Sequence, residues 1–392
     1  MKTTSRKPSH SLCHLCGGRL ELLLDYPMAG QVTSDCRPWQ GRSLLAACQS
    51  CGVLQKSVTS EWEEEVKEIY ATYAIYAQAE GGEQRSFDAE SGANRSRSQT
   101  ILKWLFSKAD LPEKGTLLDI GCGNGSFLQA FREAYPNWQM IGAELDDRNR
   151  SAVESIPGVI KLHTGPLDQM PERFDLIAMI HALEHIPRPT HFLAGVGKLL
   201  KASGSLLVQV PDLATSPFDI LIADHCTHFS KESLHWTVKL AGFQPTHLVN
   251  NCVAKELTLL ANNFKPASID MNQFIPDQPF DDCRHAINHL HWLHLLVLQA
   301  IAIEGQVGIF GTSISATWLA AALQGRVAFF VDEDSNRIGQ SHLGIPIISI
   351  EKTPAKIPVL MPIRRDIALA IKGRLGSIHR NMIAPPENCA QL

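Results

Sequence analysis

The sequence predicts an α/β, Rossmann-like protein with more than one domain, and three observations carry that reading. Thr116–Ser126 joins a strand-like apolar run (Leu117, Leu118, Ile120) to glycines 121, 123 and 125, and then to Phe127, Leu128, Ala130 and Phe131 at helical spacing. From there to about residue 263, buried-strand patterns alternate with helical ones. A second strand, glycine turn and helix opens at Val307. At 392 residues the chain can bury two or three cores.

In the first strand, turn and helix, glycines allow a tight turn and a close approach to a nucleotide, and the helix N-terminus offers free N–H groups. Asp119 precedes the glycines, and a second apolar run, Trp138–Ala143, ends at Glu144, placed to accept from both ribose hydroxyls. The acid-x-Gly-x-Gly-x-Gly pattern formed by Asp119, Gly121, Gly123 and Gly125 resembles the first motif of class I S-adenosylmethionine (SAM) dependent methyltransferases. A dinucleotide dehydrogenase more usually shows Gly-x-Gly-x-x-Gly, so SAM is the expected cofactor.

Composition narrows the class. With 44% hydrophobic and 19% charged residues and a net charge of -4, the chain has the makeup of a globular protein and no basic excess for nucleic acid. No apolar run has the length of a membrane span, and the polar start Met1–Lys7 lacks the core of a signal peptide. The expected compartment is the cytoplasm.

Cys13-His-Leu-Cys16-Gly and Cys48-Gln-Ser-Cys51-Gly are matching knuckles. Four thiolates in two close pairs suit tetrahedral zinc and leave no open position, so Cys13, Cys16, Cys48 and Cys51 are expected to bind a structural ion. A redox dithiol needs only one such pair. Cys36 and His14 are alternative ligands that the knuckle symmetry disfavours. Residues 1–60 thus read as a zinc-binding module. Residues 61–100 read as a helical connector or lid, with an acidic helix start at Glu61–Glu68, tyrosines 70, 73 and 76, an interruption at Gly81-Gly82-Glu83-Gln84, and Arg95, Arg97 and Ser98 before the helix Ile101–Phe106. The tyrosine stripe is either packing or a set of hydroxyls facing a substrate.

Residues 101–263 form the expected catalytic domain. Its remaining elements are a helix near Arg148–Ser155, a strand Val159–His163 with Asp168 in the following turn, and the buried strand Phe174–Ile180 leading into His181-Ala-Leu-Glu184-His185. A helix Phe192–Leu200, a stop at Gly204, a strand Ser205–Val210, a helix Lys231–Leu240 ended by Gly242, and two strands at 246–250 and 255–261 follow. Ligands of open parallel sheets bind beyond the carboxyl ends of the strands, which puts His181 beside the reacting group. In the methyltransferase family an acid near Asp168 often contacts the adenine. The chain lacks the Asn/Asp-Pro-Pro-aromatic motif of amino-group methyltransferases after the fourth strand, and it has no Pro-Cys pair for cytosine C5 methylation.

Asp224-His225-Cys226-Thr227-His228-Phe229-Ser230 concentrates a carboxylate and two imidazoles before Ser230, a helix N-cap candidate. A histidine held by an acid can act as a general base; Asp, His and His can bind a metal; polar capping of a loop is the bland alternative. Together with the four-cysteine module and a third α/β unit, this stretch makes nearly the whole chain resemble the nucleotide-sugar C-methyltransferases. That resemblance implies methylation of carbon 3 of a 4-keto deoxysugar, with Asp224 and His225 in the base region and His228 where the family has tyrosine.

Residues 282–380 are expected as a smaller C-terminal α/β unit. It has a helix Cys283–Glu304 bearing His285, His289, His291 and His294, the strand and turn at Val307–Ser313, strands at 327–331 (ending in Asp332), 345–350 and 359–362, and disorder from Asn381. The resemblance implies that this unit helps hold the sugar nucleotide, with Gly311–Ser315 toward a phosphate. The leading expectation is an enzyme of SAM-dependent C-methylation acting on a small molecule, a nucleotide-linked sugar, in which His225, oriented by Asp224, removes the proton and His181 or His228 steadies the oxygen. The alternatives are an O-methyltransferase of a polysaccharide or natural product, and a zinc-module RNA-binding or catalytically silent relative.

Overall fold

The computed structural model describes residues 12–23, 30–41, 44–73, 85–87, 94–263, 281–378 and 381–386. The N-terminal part is built of short strands: β1 (Leu20–Leu22), β2 (Gln31–Val32), β3 (Pro38–Trp39), β4 (Leu45–Cys48) and β5 (Leu54–Lys56). Strand β4 lies between β1 and β5 and pairs antiparallel with both; β2 pairs with β3. Helix α1 (Ser60–Ala71) starts where the Thr59 hydroxyl accepts from the Trp62 N–H at 3.2 Å, and Glu61 and Glu63 suit the positive end of its dipole. A hairpin of β6 (Arg85–Phe87) and β7 (Asn94–Ser96) leads to α2 (Arg97–Phe106), which Ser96 and Gln99 cap reciprocally.

The central sheet follows: β8 (Thr116–Ile120), α3 (Ser126–Ala134), β9 (Gln139–Ala143), α4 (Arg150–Glu154), β10 (Val159–His163), β11 (Phe174–Ile180), α5 (Pro189–Gly197), β12 (Leu200–Pro211), β13 (Thr227–His228), α6 (Lys231–Leu240), β14 (Phe243–Val249) and β15 (Glu256–Asn263). Seven of these strands lie in the order β10-β9-β8-β11-β12-β15-β14, and only β15 runs against its neighbours. Alternate residues serve opposite faces: Leu117 packs with Phe127 and Trp138, and Leu118 with Ile177 and Leu206. The chain moves outward from β8 to β10 and then returns to β11, so the crevice where the order reverses lies between β8 and β11.

Strand β13 leaves this sheet and pairs antiparallel with β5, as the edge of the N-terminal sheet. The C-terminal unit holds α7 (Asp281–Ala302), β16 (Val307–Phe310), α8 (Ile314–Ala322), β17 (Val327–Val331), β18 (Ser341–His342), β19 (Ile345–Ile348), β20 (Val359–Leu360), α9 (Arg365–Leu375) and β21 (Met382–Ile383). Its sheet order is β18-β19-β17-β16-β20-β21. One core joins Val32, Leu45 and Leu54 of the N-terminal part to Ile220 and Leu221 and to Leu296, Trp318 and Leu319 of the C-terminal unit. No helix among the described residues is long and apolar enough to cross a membrane.

Several expectations need correction. Gly204 stops no helix: α5 ends at Gly197, and Gly204 lies inside β12, where a Cβ would meet the Phe174 carbonyl oxygen at 2.8 Å. The C-terminal segment is ordered past Asn381, because Met382–Ile383 finds a parallel partner in β20. Tyr76 and residues 81–84 lie outside the described residues, as do the side chains of His285 and His289.

Candidate active site

At the crevice, the turn after β8 puts Gly121, Gly123 and Gly125 at φ of 76°, 57° and 87°. Gly125 is the N-cap of α3, and in that left-handed conformation a side chain is strained; a Cβ there would also stand 2.5 Å from Ile156 Cδ1. Glu144, just past β9, reaches back over the turn: its Oε1 accepts from the Gly123 N–H at 2.6 Å and its Oε2 from the Leu145 N–H at 3.1 Å. Burial pushes the Glu144 carboxyl up in pKa, and these two amide donors hold it back. Asp119 is buried directly before the turn. An acid at the second strand's end beside a glycine turn is the acceptor that suits the ribose hydroxyls of a nucleoside. Asp168, by contrast, is exposed in a 3-10 turn after β10.

Beyond the end of β11, a buried cluster forms from distant segments. His225 donates from Nδ1 to Asp219 Oδ1 at 2.7 Å, and His228 from Nδ1 to Asp219 Oδ2 at 2.6 Å. The expectation that Asp224 orients His225 is therefore corrected. The Asp224 carboxylate accepts from the N–H and the hydroxyl of Ser34 at 2.9 and 2.5 Å, and lies 3.4 Å from His185 Nδ1. Adjacency in sequence does not pair Asp224 with His225: Asp224 lies in the turn before β13, and its carboxylate is turned toward Ser34 and His185. His185 stands edge-on to His225 at 4.5 Å between ring centroids, and its Nδ1 meets the Tyr70 hydroxyl at 2.9 Å and the Asp224 carbonyl at 3.0 Å. Burial pushes the His225 imidazole down, but Asp219, with Glu184 and Asp224, outweighs that and raises it above 6.5. His228, wholly buried, is lowered by desolvation despite the same carboxylate.

His181 follows β11 at a left-handed φ of 52°. Its Nδ1 lies 3.0 Å from Glu184 Oε1 and its Nε2 3.0 Å from Glu256 Oε1. Burial opposes its charge, yet Glu256 and Glu184 raise it to about 9, so it is a carboxylate-held cation at neutral pH.

Sequence comparison bears on part of this chain. Residues 93–248 match the methyltransferase domain family. That stretch is a class I SAM-dependent methyltransferase domain. The chain is 30% identical to trans-aconitate 2-methyltransferase of Acidovorax sp. (strain JS42) over 115 residues, covering 29% of this chain and 45% of that protein. It is 24% identical to ubiquinone biosynthesis O-methyltransferase of Dechloromonas aromatica (strain RCB), covering 38% of this chain and 72% of that protein. The chain thus spans less than half the length of the first of these relatives. A SAM-dependent methyltransferase from Clostridium acetobutylicum superposes with a TM-score of 0.37 at 12% identity, over 52% of this chain and 98% of that one.

Flanking the methyltransferase domain, Cys13, Cys16, Cys48 and Cys51 bring their sulfurs together, with Sγ–Sγ distances of 3.7 Å (Cys13–Cys51) and 3.5 Å (Cys16–Cys48). Four thiolates about 2.3 Å from a tetrahedral zinc stand roughly 3.8 Å apart, so the set fits that ion. Gly18 and Ser50 N–H groups donate to Cys16 and Cys48 sulfur at 3.4 Å each. His14 turns away, its Nε2 on the Thr227 hydroxyl at 2.8 Å. The second glycine turn, after β16, has Gly311 at φ 80°, with Arg337 donating to the Thr312 hydroxyl at 2.7 Å and Thr312 to Asp332 at 3.2 Å.

The N-terminal part also holds the methyltransferase domain's histidine segment. Beyond Ser34, the Lys56 N–H donates to the Cys226 carbonyl at 3.0 Å, the Ala223 N–H to the Val32 carbonyl at 2.8 Å, and Trp62 Nε1 to the Ala223 carbonyl at 3.0 Å. The fully buried Lys56 ammonium donates to the Ile222 carbonyl, and burial lowers it to about 8 against the pull of Asp224 and Asp219. Sequence reasoning missed Asp219, Ser34 and Lys56, which carry no motif. It quoted Glu184 and His185 without giving them a role, although their place after a buried strand was the available signal.

Proposed function

We propose that the chain is a SAM-dependent methyltransferase acting on a small molecule whose acidic proton is taken at His225, most specifically on a carbon beside a carbonyl of a nucleotide-linked sugar. The observation that supports this reading is one carboxylate-held imidazole, His225 on Asp219, packed edge-on against His185 of the segment that follows β11. SAM, when bound, supplies a methyl group on a sulfonium. Gly121, Gly123, Gly125, Asp119 and Glu144 are the residues to hold its nucleoside, with Asp168 on the adenine side. Four cysteines hold a structural zinc.

With Nδ1 committed to Asp219, His225 keeps Nε2 as the site that accepts a proton. The acceptor's C–H bond breaks toward that nitrogen, and its electron pair moves onto the carbonyl oxygen. The pair returns to form the carbon–methyl bond as the sulfur–methyl bond breaks, leaving S-adenosylhomocysteine. Alignment is the enzyme's main contribution. The protonated His181 lies at the end of β11 with both ring nitrogens on Glu184 and Glu256, so it acts on developing oxygen charge through its field and not through a hydrogen bond of its own. The family resemblance supports the sugar, as does a second glycine turn in the C-terminal unit that offers backbone N–H groups.

A second reading, an oxygen acceptor, has the relatives behind it, since one of them is named an O-methyltransferase. Solvent exchange separates the two. A nucleotide-linked 4-keto deoxysugar incubated with the protein in deuterium oxide without SAM loses its carbon 3 proton signal if the carbon is the acceptor. No exchange, followed by O-methylation once SAM is added, assigns the oxygen.

A further inference from the structure

We propose that Asp219 is the positioning residue of this site, fixing the tautomer and direction of His225, and that His228 is the lock on its second oxygen rather than a group that meets the substrate. The inference rests on the reading of His225 as the proton acceptor. Both Asp219 oxygens are used, Oδ1 by His225 at 2.7 Å and Oδ2 by His228 at 2.6 Å. A carboxylate only accepts, so each imidazole must place its proton on Nδ1. With one oxygen free, a buried carboxylate could rotate about its last bond and release His225. The second imidazole removes that freedom.

Burial assigns the two rings different tasks. His228 has no exposed side-chain surface and its backbone pairs with Leu54 across β13 and β5, so the ring is closed off from a ligand; among the described residues its Nε2 has no partner. His225 retains a little exposure and faces His185. The charged and titratable groups around His225 are Asp219 before it, Asp224 and His228 on its own segment, Glu184 and His185 after β11, Tyr70 of α1 and Lys56 of β5. Among them Asp219 is the carboxylate in hydrogen-bond contact with the ring, and it stays ionised although burial opposes this, because His225 and His228 hold it well below the usual carboxylate range. A proton arriving on His225 therefore finds its counter-charge already in place.

The test needs no acceptor. In the metal-loaded full chain labelled with nitrogen-15 histidine, long-range proton–nitrogen spectra report tautomer and titration midpoint for each ring, and the His225 signals are those lost in His225→Asn. The wild-type ring is expected as the Nδ1–H tautomer with a midpoint above 6.5. Asp219→Asn is expected to lower that midpoint by about one unit or more and to release the tautomer, and Asp224→Asn to move it less. His228→Asn, which keeps the Asp219 charge, is expected to leave the midpoint raised while broadening the ring signals. A wild-type Nε2–H tautomer, or an Asp224→Asn shift as large as that of Asp219→Asn, overturns the proposal. Should Asp219→Asn not fold, the wild-type tautomer and His228→Asn decide: a His225 midpoint back at the ordinary value in His228→Asn also overturns it. S-adenosylhomocysteine binding, followed in the same samples, separates this failure from failure of the methyltransferase reading.

Discussion

The two sides of the switch point are built in opposite ways. On the cofactor side, Asp119, three glycines and Glu144 come from one continuous strand, turn, helix and strand, and the bond that ties Glu144 to Gly123 spans 21 residues. On the acceptor side, His225 depends on Asp219, His185 and Tyr70, and its segment is tied to Ser34, 190 residues away in sequence. The lesson concerns what each side needs in order to exist. A turn can form from local backbone preference, whereas a buried cluster of carboxylates and imidazoles needs the whole tertiary structure to satisfy its polar groups.

Metal removal should break the comparison most visibly. Structural zinc contributes on the order of 10 kcal/mol to small domains, so chelation, or Cys13→Ser with Cys51→Ser, is expected to unfold the N-terminal module. Strand β13 pairs with that module, so hydrogen exchange should accelerate over 222–228 and change little over 116–144. Equal protection on both sides would show that the module does not hold the acceptor segment. Next in size, His225→Ala is expected to cut turnover by about 100-fold to 10,000-fold while S-adenosylhomocysteine binds as before. Loss of both together would merge the two sides.

His181, between them, gives a pH signature. Its folded value of about 9 exceeds the ordinary 6.5, so its stabilising contribution is full below 6.5 and is lost as pH rises through about 9. The melting temperature should fall over that window, and His181→Asn should flatten the fall. The smallest effect belongs to Ser34→Ala, which removes one hydroxyl bond to Asp224 and keeps the backbone one. Its cost is expected near 1 kcal/mol in chemical denaturation.

Much of the fold was legible in the sequence. Asp119, Gly121, Gly123, Gly125 and Glu144 share one continuous pattern, and largely apolar runs marked β8 and β11. Gly204 misled because a glycine inside a strand looks the same in sequence as one that ends a helix. The histidine segment was found, but its partner was taken from the adjacent position, when the bonded carboxylate lies six residues back. Nothing in a linear pattern says which of two nearby acids a buried ring will face. Ser34 and Lys56 reach the site only through the pairing of β13 with β5, a long-range event with no local signature.

The most direct measurement is a calorimetric titration of the metal-loaded chain with S-adenosylhomocysteine, run beside Glu144→Ala. One molecule bound per chain, weakened about tenfold or more by the substitution, is the expected result. No heat of binding in the wild-type protein, or binding that Glu144→Ala leaves unchanged, would contradict the account of the glycine turn and its acid as the cofactor site.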